Sequence, residues 1–378
     1  MAKVTIFGDF KVNRVKHLNL SAELVYLLNT SDINMVNFEA PIHSAGKPLD
    51  KSGPNISQHV EAPEWLEERG FNAVSLANNH TMDFGEDGLN ATVSSFKKAE
   101  VLGVGKWNEA YQLHVFTSSD DLKVGILCCT HCEFGTLTDK LTADKQGCAW
   151  SLSSEINRAI HNSWGGGKID YLIVYNHGGV EYMDVPLPEW REVYRTWIEM
   201  GADAVIASHP HVPQGYEMYN GKPICYSLGN FCFDPLGENV SEHWFESICC
   251  VLDIDAPHHA NVTMRPLVYD SAKGYIRDNT SEEFAKHWKH INELLEDEKA
   301  YLEEVKKDVV KLLPHYMEQF SRGGFITGLL QKGFVKGFVE GLLGRGFFNK
   351  KHAMNNIRCE SHRWAIIRAL EIIKTNRQ

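Results

Sequence analysis

Five short apolar runs in this chain each end, within a few residues, in a side chain able to hold a cation. Val4-Thr5-Ile6-Phe7 leads to Asp9, Ile33-Asn34-Met35-Val36 to Glu39, and Ala73-Val74-Ser75-Leu76 to Asn79 and His80. Tyr171-Leu172-Ile173-Val174 precedes His177, and Ala204-Val205-Ile206 precedes His209-Pro210-His211. Carboxylate, amide oxygen and imidazole suit manganese, iron or zinc. Two such cations about 4 Å apart need a shared ligand, usually a carboxylate. Asp9 and Glu39 supply the negative charge, one of them as the bridge. Asn79 offers a neutral oxygen, and His177, His209 and His211 offer ring nitrogens. In extended chain the i, i+2 spacing of His209 and His211 would point both rings to one side, one for each cation. His80 cannot share the direction of its neighbour Asn79, so it reads as the group that protonates a leaving oxygen or steadies an oxyanion. Asp83, three residues on, would orient the His80 ring. Each residue alone has an ordinary explanation: Asp9 as a cap, Glu39 as a loop carboxylate, Asn79 in a turn, His177 closing a strand. Their shared position after apolar runs argues for one polynuclear centre.

Buried parallel strands read as short apolar runs, and open α/β sheets gather ligands at the carboxyl ends of their strands. Helical signals fall between the runs, over residues 21–29, 62–68, 85–99, 151–161 and 188–200, with Gly201 as a stop. Such alternation predicts a largely parallel, helix-covered sheet. Residues 112–129 and 225–268 instead carry successive strands with few helical signals, which predicts antiparallel pairs and a second sheet packed on the first. From about residue 273 the character becomes helical. Ser281 caps a charged helix expected to run through Lys307 and end before Pro314, and residues 361–374 read as a last amphipathic helix. The division expected is 1–272 for the sheet-bearing domain and 273–378 for a helical extension. Within that extension Gly333, Gly337 and Gly341 form a ladder of small residues between apolar pairs. It suits close packing on the main domain, on a second subunit or on a partner protein. A membrane-surface role is the rival there, resting on Lys332, Lys336 and Arg345.

A chain of 378 residues with 43% hydrophobic and 23% charged content is ordinary for a globular protein. A formal net charge of −11 argues against a nucleic-acid surface. No run of about 18 apolar residues occurs, so no spanning helix is expected, and the start of the chain shows no secretory pattern. Nine cysteines, an odd number, cannot all pair within the chain and read as reduced thiols in a cytoplasmic protein. Cys128-Cys129-Thr130-His131-Cys132 lacks a second ligand pair at zinc-site spacing, so it reads as buried thiols at a strand end with His131 lining the cleft.

Longer stretches around the same residues resemble a known family. They are Asn37-Phe38-Glu39-Ala40-Pro41, the eleven residues from Ser75 to Gly85, Asn176-His177-Gly178-Gly179-Val180-Glu181-Tyr182, residues 201–211, and Tyr226-Ser227-Leu228-Gly229-Asn230-Phe231. Together they are similar to the CapA family of capsule and poly-γ-glutamate synthesis proteins, over about residues 3–270. That family resembles calcineurin-like metallophosphoesterases, and the resemblance implies a four-layer α/β/β/α sandwich with a dinuclear centre at one edge. It also implies Asp9, Glu39, Asn79, His177, His209 and His211 as ligands and His80 as the acid. One departure stands out: Asp9 is followed by Phe10-Lys11 where the phosphoesterase pattern has Asp-x-His, so a ligand of the first cation is missing or replaced. The expectation is a metal-dependent hydrolase acting on a phosphoester, or on an amide of a γ-glutamyl polymer, in surface-polymer synthesis. Its rival is an accessory protein that binds polymer or synthesis partners without turnover.

Overall fold

A computed structural model describes residues 1–42, 45–165, 167–237, 240–320 and 350–375. The glycine ladder and basic residues of 332–345 lie outside the described residues. Two large sheets stack face to face. The first has nine strands, with Ala2–Lys11 at its centre, parallel to Ile33–Phe38 on one side and antiparallel to Glu246–Ala256 on the other. The second has six strands, in which Lys123–Thr130, Tyr171–His177, Ala204–Ser208 and Lys222–Leu228 run parallel. The antiparallel pairs expected at 112–129 and 225–268 are present as His114–Thr117 with Lys123–Thr130 and as Glu246–Ala256 with His259–Asp270.

Three apolar layers account for the stack. Val4, Ile6, Met35, Ile126, Ile173, Tyr175, Ile206 and Leu252 fill the space between the sheets. Leu24, Leu28, Trp65, Leu66 and Leu89 bring the helices Ala22–Asn29, Ala62–Glu68 and Gly85–Ser95 onto the outer face of the first sheet. On the far side, Ile156, Trp190, Tyr194, Trp197, Tyr301, Val305, Val309 and Ala369 seat helices on the second sheet. Residues on both faces of each sheet are thus buried, which is why the central strands read as continuous apolar runs. The result is an α/β/β/α sandwich.

Helices from beyond residue 272 supply part of the fourth layer. The strand Tyr275–Asp278 still belongs to the first sheet, paired with His259–Asp270, and helices follow from Glu282. Ser281 caps the first of them, accepting from the Phe284 amide at 3.3 Å. The single helix expected to end before Pro314 is instead two. The first, Glu282–Glu296, stops at Asp297, whose extended backbone (φ −105°, ψ 98°) and carboxylate, accepting from Lys299 and Ala300, start the second, Glu298–Phe320. Pro314 lies inside that second helix. Proline removes one helical hydrogen bond, but Val309, Leu313 and Tyr316 on both sides are buried, and their packing holds the helix through it. The helix expected over 85–99 ends at Ser95, because Glu100–Leu102 is taken up as a strand beside Ala73–Ser75.

Candidate metal centre

Where the carboxyl ends of the two sheets meet, the six ligand candidates come together. Asp9 sits at a break in the first strand: its register shifts between Ile6 and Asp9 against Ile33–Phe38, and between Asp9 and Phe10 against Asn230–Phe233. Gly8 makes the break feasible, since a Cβ there would lie 1.9 Å from the carbonyl oxygen of Gly229. The Asp9 amide then donates to that oxygen at 3.0 Å. Glu39 follows the end of Ile33–Phe38 and His177 ends Tyr171–His177. His209 and His211 lie just past Ala204–Ser208. All six are buried, Asp9, Glu39 and His177 completely.

The Asp9 carboxylate lies 3.6 Å from His177 Nδ1 and 3.7 Å from His211 Nδ1. Glu39 Oε1 lies 3.6 Å from His177 Nε2 and 3.7 Å from His211 Nε2. His177 Nε2 is also 3.1 Å from Asn79 Oδ1 and 3.1 Å from His209 Nδ1. Two three-residue sets have ligand atoms that all lie within 4.8 Å of one another: Asp9, Glu39 and His211, and Glu39, His177 and His209. Glu39 belongs to both sets. His80 is set apart, with its side chain 12% exposed at the rim, and Asp83 Oδ2 lies 2.8 Å from its Nδ1.

The two histidines around Pro210 are not in extended chain, as their spacing suggested. Both have positive φ, 105° at His209 and 60° at His211. Non-glycine residues there are strained by about 1–3 kcal/mol each, and persist where their surroundings over-determine them. Those surroundings are the His209 amide donating to Asp9 Oδ2 at 3.1 Å, and His211 Nδ1 at 3.0 Å from Asn230 Oδ1. The rings end 5.9 Å apart, His209 against His177 and His211 against Phe233 and Trp244.

Both Glu39 oxygens and His209 Nε2 are buried without a hydrogen-bond partner. Buried charges are otherwise paired or coordinate metals. Burial, and then repulsion from Asp9, push Glu39 well above its ordinary carboxylate value. Burial also opposes ionisation of Asp9, but the hydrogen bond and charge of His177 outweigh it and hold this carboxyl below its usual value. His177 is pushed down to about 4, chiefly by burial, and burial together with His131 carries His209 well below the imidazole range. Two buried carboxyl groups beside His177 and His209, whose rings burial holds toward the neutral form, make a donor set that fits divalent cations.

Other residues complete the arrangement. Asn37 donates to Asp9 Oδ1 at 2.8 Å and sits 3.1 Å from His177 Nδ1, while Ser208 Oγ lies 3.2 Å from that same nitrogen. Such partners fix ring orientation and leave Nε2 to the centre. Asn37, Ser208 and Asn230 all lie within the motifs quoted above, yet nothing in the sequence marked their roles. Lys51 had no signal at all: in the loop before Ala62–Glu68, with only 4% of its side chain exposed, it pairs with Asp83 and approaches His80 Nδ1 to 3.2 Å. Lys11 offers nothing to the centre, because its ammonium bonds Asn13 Oδ1 at 2.7 Å. His131 lies beside His209 with ring centroids 4.4 Å apart. All nine cysteines are buried and free.

Comparisons with known proteins agree with the resemblance read from the motifs. Residues 8–235 match the family model described as bacterial capsule synthesis protein PGA_cap. The capsule biosynthesis protein CapA of Bacillus anthracis is 29% identical over 249 residues, covering 61% of this chain and 59% of that protein. The PGA biosynthesis protein CapA of Bacillus subtilis is 29% identical over 214 residues, covering 55% of each. The chain therefore spans less than two thirds of these relatives' length. A Mycobacterium tuberculosis protein named a probable polyglutamine synthesis accessory protein is 26% identical over 223 residues, 56% of this chain and 58% of its own. Among solved structures, sulfate thiohydrolase SoxB of Thermus thermophilus aligns with a TM-score of 0.44 at 8% identity, covering 71% of this chain and 56% of that one. With its model matched from Gly8 through Pro235, the chain belongs to the PGA_cap family of bacterial capsule synthesis proteins.

Proposed function

We propose that this chain is a metal-dependent hydrolase of surface-polymer synthesis, acting on a phosphoester or on another bond in a capsule, exopolysaccharide or poly-γ-glutamate pathway. The observation that carries the reading is the pair of three-residue ligand sets joined through Glu39, with both its oxygens unpartnered. In this reading Asp9, Glu39 and His211 would hold one cation and Glu39, Asn79, His177 and His209 a second, with Glu39 common to both sets. Manganese, iron and zinc all suit these donors. When bound, two such cations would activate water and neutralise charge developing on the scissile group. The first set has three protein ligands, since Lys11 supplies none, and an open position is what a catalytic cation requires.

The protein's own residues do the rest. His80 stands at the rim to hand a proton to the departing oxygen. Asp83 divides its carboxylate, one oxygen toward Lys51 and the other 2.8 Å from His80 Nδ1, which fixes the orientation of the ring. Tyr182, half exposed and 6.4 Å from the His211 ring, forms with Trp244 an aromatic wall beside the first set. The sandwich carries the chemistry, and the described helices between Glu282 and Thr375 supply part of its fourth layer. Metal analysis and turnover of bis(p-nitrophenyl) phosphate test the proposal together. Protein that binds no divalent cation, or full activity in His211→Ala, would sink it.

The rival reading, an accessory protein that binds polymer or partner enzymes, draws on the replacement of the expected histidine by Lys11 and on the accessory name carried by the mycobacterial relative. Polymer capture by the full chain, unchanged in His211→Ala and accompanied by no turnover, would favour it. Among the described residues no helix is long and apolar enough to cross a membrane.

A further inference from the structure

Beside the candidate centre, the loop after Lys123–Thr130 meets the start of the last helix, Glu360–Thr375. We propose that Glu133, Cys359 and His362 form a separate site for a thiophilic divalent cation of the zinc class, which fastens this helix to the rim of the sandwich. One ligand atom from each of the three lies within 4.8 Å of the other two. Tetrahedral zinc with bonds of about 2.0–2.3 Å sets its ligand atoms roughly 3.3–3.7 Å apart, so side-chain rotation closes the set. Cys359 and His362 are three residues apart across the first helical turn, which turns both toward the same side. A thiolate with imidazole and carboxylate selects zinc over magnesium, calcium or manganese.

The surrounding contacts hold the three residues in place. Glu360 accepts the Cys132 amide at 2.8 Å and the Trp150 indole N–H. Ser361 Oγ accepts the Trp190 indole at 2.9 Å and the Gly179 amide at 3.3 Å. Asn355 Nδ2 donates to Glu133 Oε2 at 3.2 Å. Polar atoms inside this nest lack partners in the way that atoms around a cation do. His362 Nδ1 and Asn355 Oδ1 are buried without a hydrogen bond. The fully buried His131 also has no hydrogen bond at Nε2, although Glu133 Oε1 lies 3.2 Å away, while its Nδ1 is 3.0 Å from Ser361 Oγ and 3.6 Å from Cys359 Sγ. His131 thus stands between the proposed site and His209, with Nδ1 held at Ser361 and Nε2, beside Glu133, left to serve as a fourth ligand. Of the run at 128–132 only His131 borders this site, and the thiolate comes from position 359.

The test uses the full-length protein, stripped with chelator and titrated with cobalt(II). A thiolate-to-cobalt charge-transfer band should appear, be displaced by zinc, and vanish in Cys359→Ser. It should persist in Cys132→Ser and in His211→Ala, the latter altering only the candidate dinuclear centre. His362→Gln should lower cobalt and zinc affinity at this site at least about tenfold. A titration with no thiolate band, or a band of wild-type strength in Cys359→Ser, overturns the proposal. Should Cys359→Ser fail to fold by circular dichroism, His362→Gln and Glu133→Gln decide instead, and a wild-type band and affinity in both refute the site.

Discussion

Replacing Glu39 by glutamine should have opposite effects on stability with and without divalent cations. In chelator-treated protein at pH 8 the wild-type carboxylate is fully buried, faces Asp9 and has two unpartnered oxygens. A buried unsatisfied group costs about 1–3 kcal/mol, more when charged. Its raised folded value means that metal-free stability is present below the ordinary carboxylate value of 4.5 and is lost as pH rises through the higher folded value. Glu39→Gln removes that loss. For 378 residues, at about 2.1 cal/mol/K per residue, each kcal/mol moves Tm by about 1.3 °C. The variant should therefore melt about 1–4 °C above the metal-free wild type. Manganese reverses the order. One site at a hundred times its Kd adds about 2.7 kcal/mol to the wild type, or about 3–4 °C, and two sites add about twice that. Without its shared ligand the variant should gain little. Differential scanning calorimetry of both proteins, each in chelator and in manganese, gives the four numbers. A wild type indifferent to cations, or a variant that gains the same shift, would refute the claim that Glu39 joins the two sets.

Three further outcomes can be checked directly. Gly8→Ala places a methyl group against the Gly229 carbonyl, where only backbone movement could relieve it; a loss of at least about 3 kcal/mol, or insoluble protein, should follow and be read by urea unfolding. Glu217, bonded by Arg191, Arg195 and the Tyr226 hydroxyl, is depressed from 4.5 to about 2 against the opposing effect of burial. That difference corresponds to roughly 3 kcal/mol, reduced to about 2 by the partial exposure of Arg195. Its stabilisation is present above pH 4.5 and lost as pH falls through about 2, so Glu217→Gln should cost about 2 kcal/mol at pH 7 and little at pH 2. Asp83→Asn should lower phosphodiester turnover about tenfold or more while leaving metal content intact; unchanged turnover would remove Asp83 from the positioning of His80.

The sandwich was readable because its central strands are buried on both faces. Runs such as Val4–Phe7 or Tyr171–Val174 cannot be solvent-facing strands, and the residues after them mark one edge. The breaks were less readable. Pro314 sits inside a helix because of packing that lies far away in sequence, and Asp297 interrupts one with a local carboxylate cap. At the site, the ligand candidates and Asp83 lie in recognisable motifs, but the backbone of residues 208–211 obeys Asp9 and Asn230, not the extended spacing that His209 and His211 suggest. Lys51 was invisible for a simpler reason: it reaches His80 and Asp83 from a loop with no ligand pattern around it.

The position of Asp9 has a consequence for how the protein matures. Its carboxylate and amide answer to Asn37, His177, His209 and Gly229, which are spread over more than half the chain. An emerging polypeptide cannot assemble this nest before its strands through Asn230–Phe233 have been made and paired, and contacts so distant in sequence form slowly. Capture of cations should thus come after the sheets close and lock a finished sandwich, with no part in nucleating it.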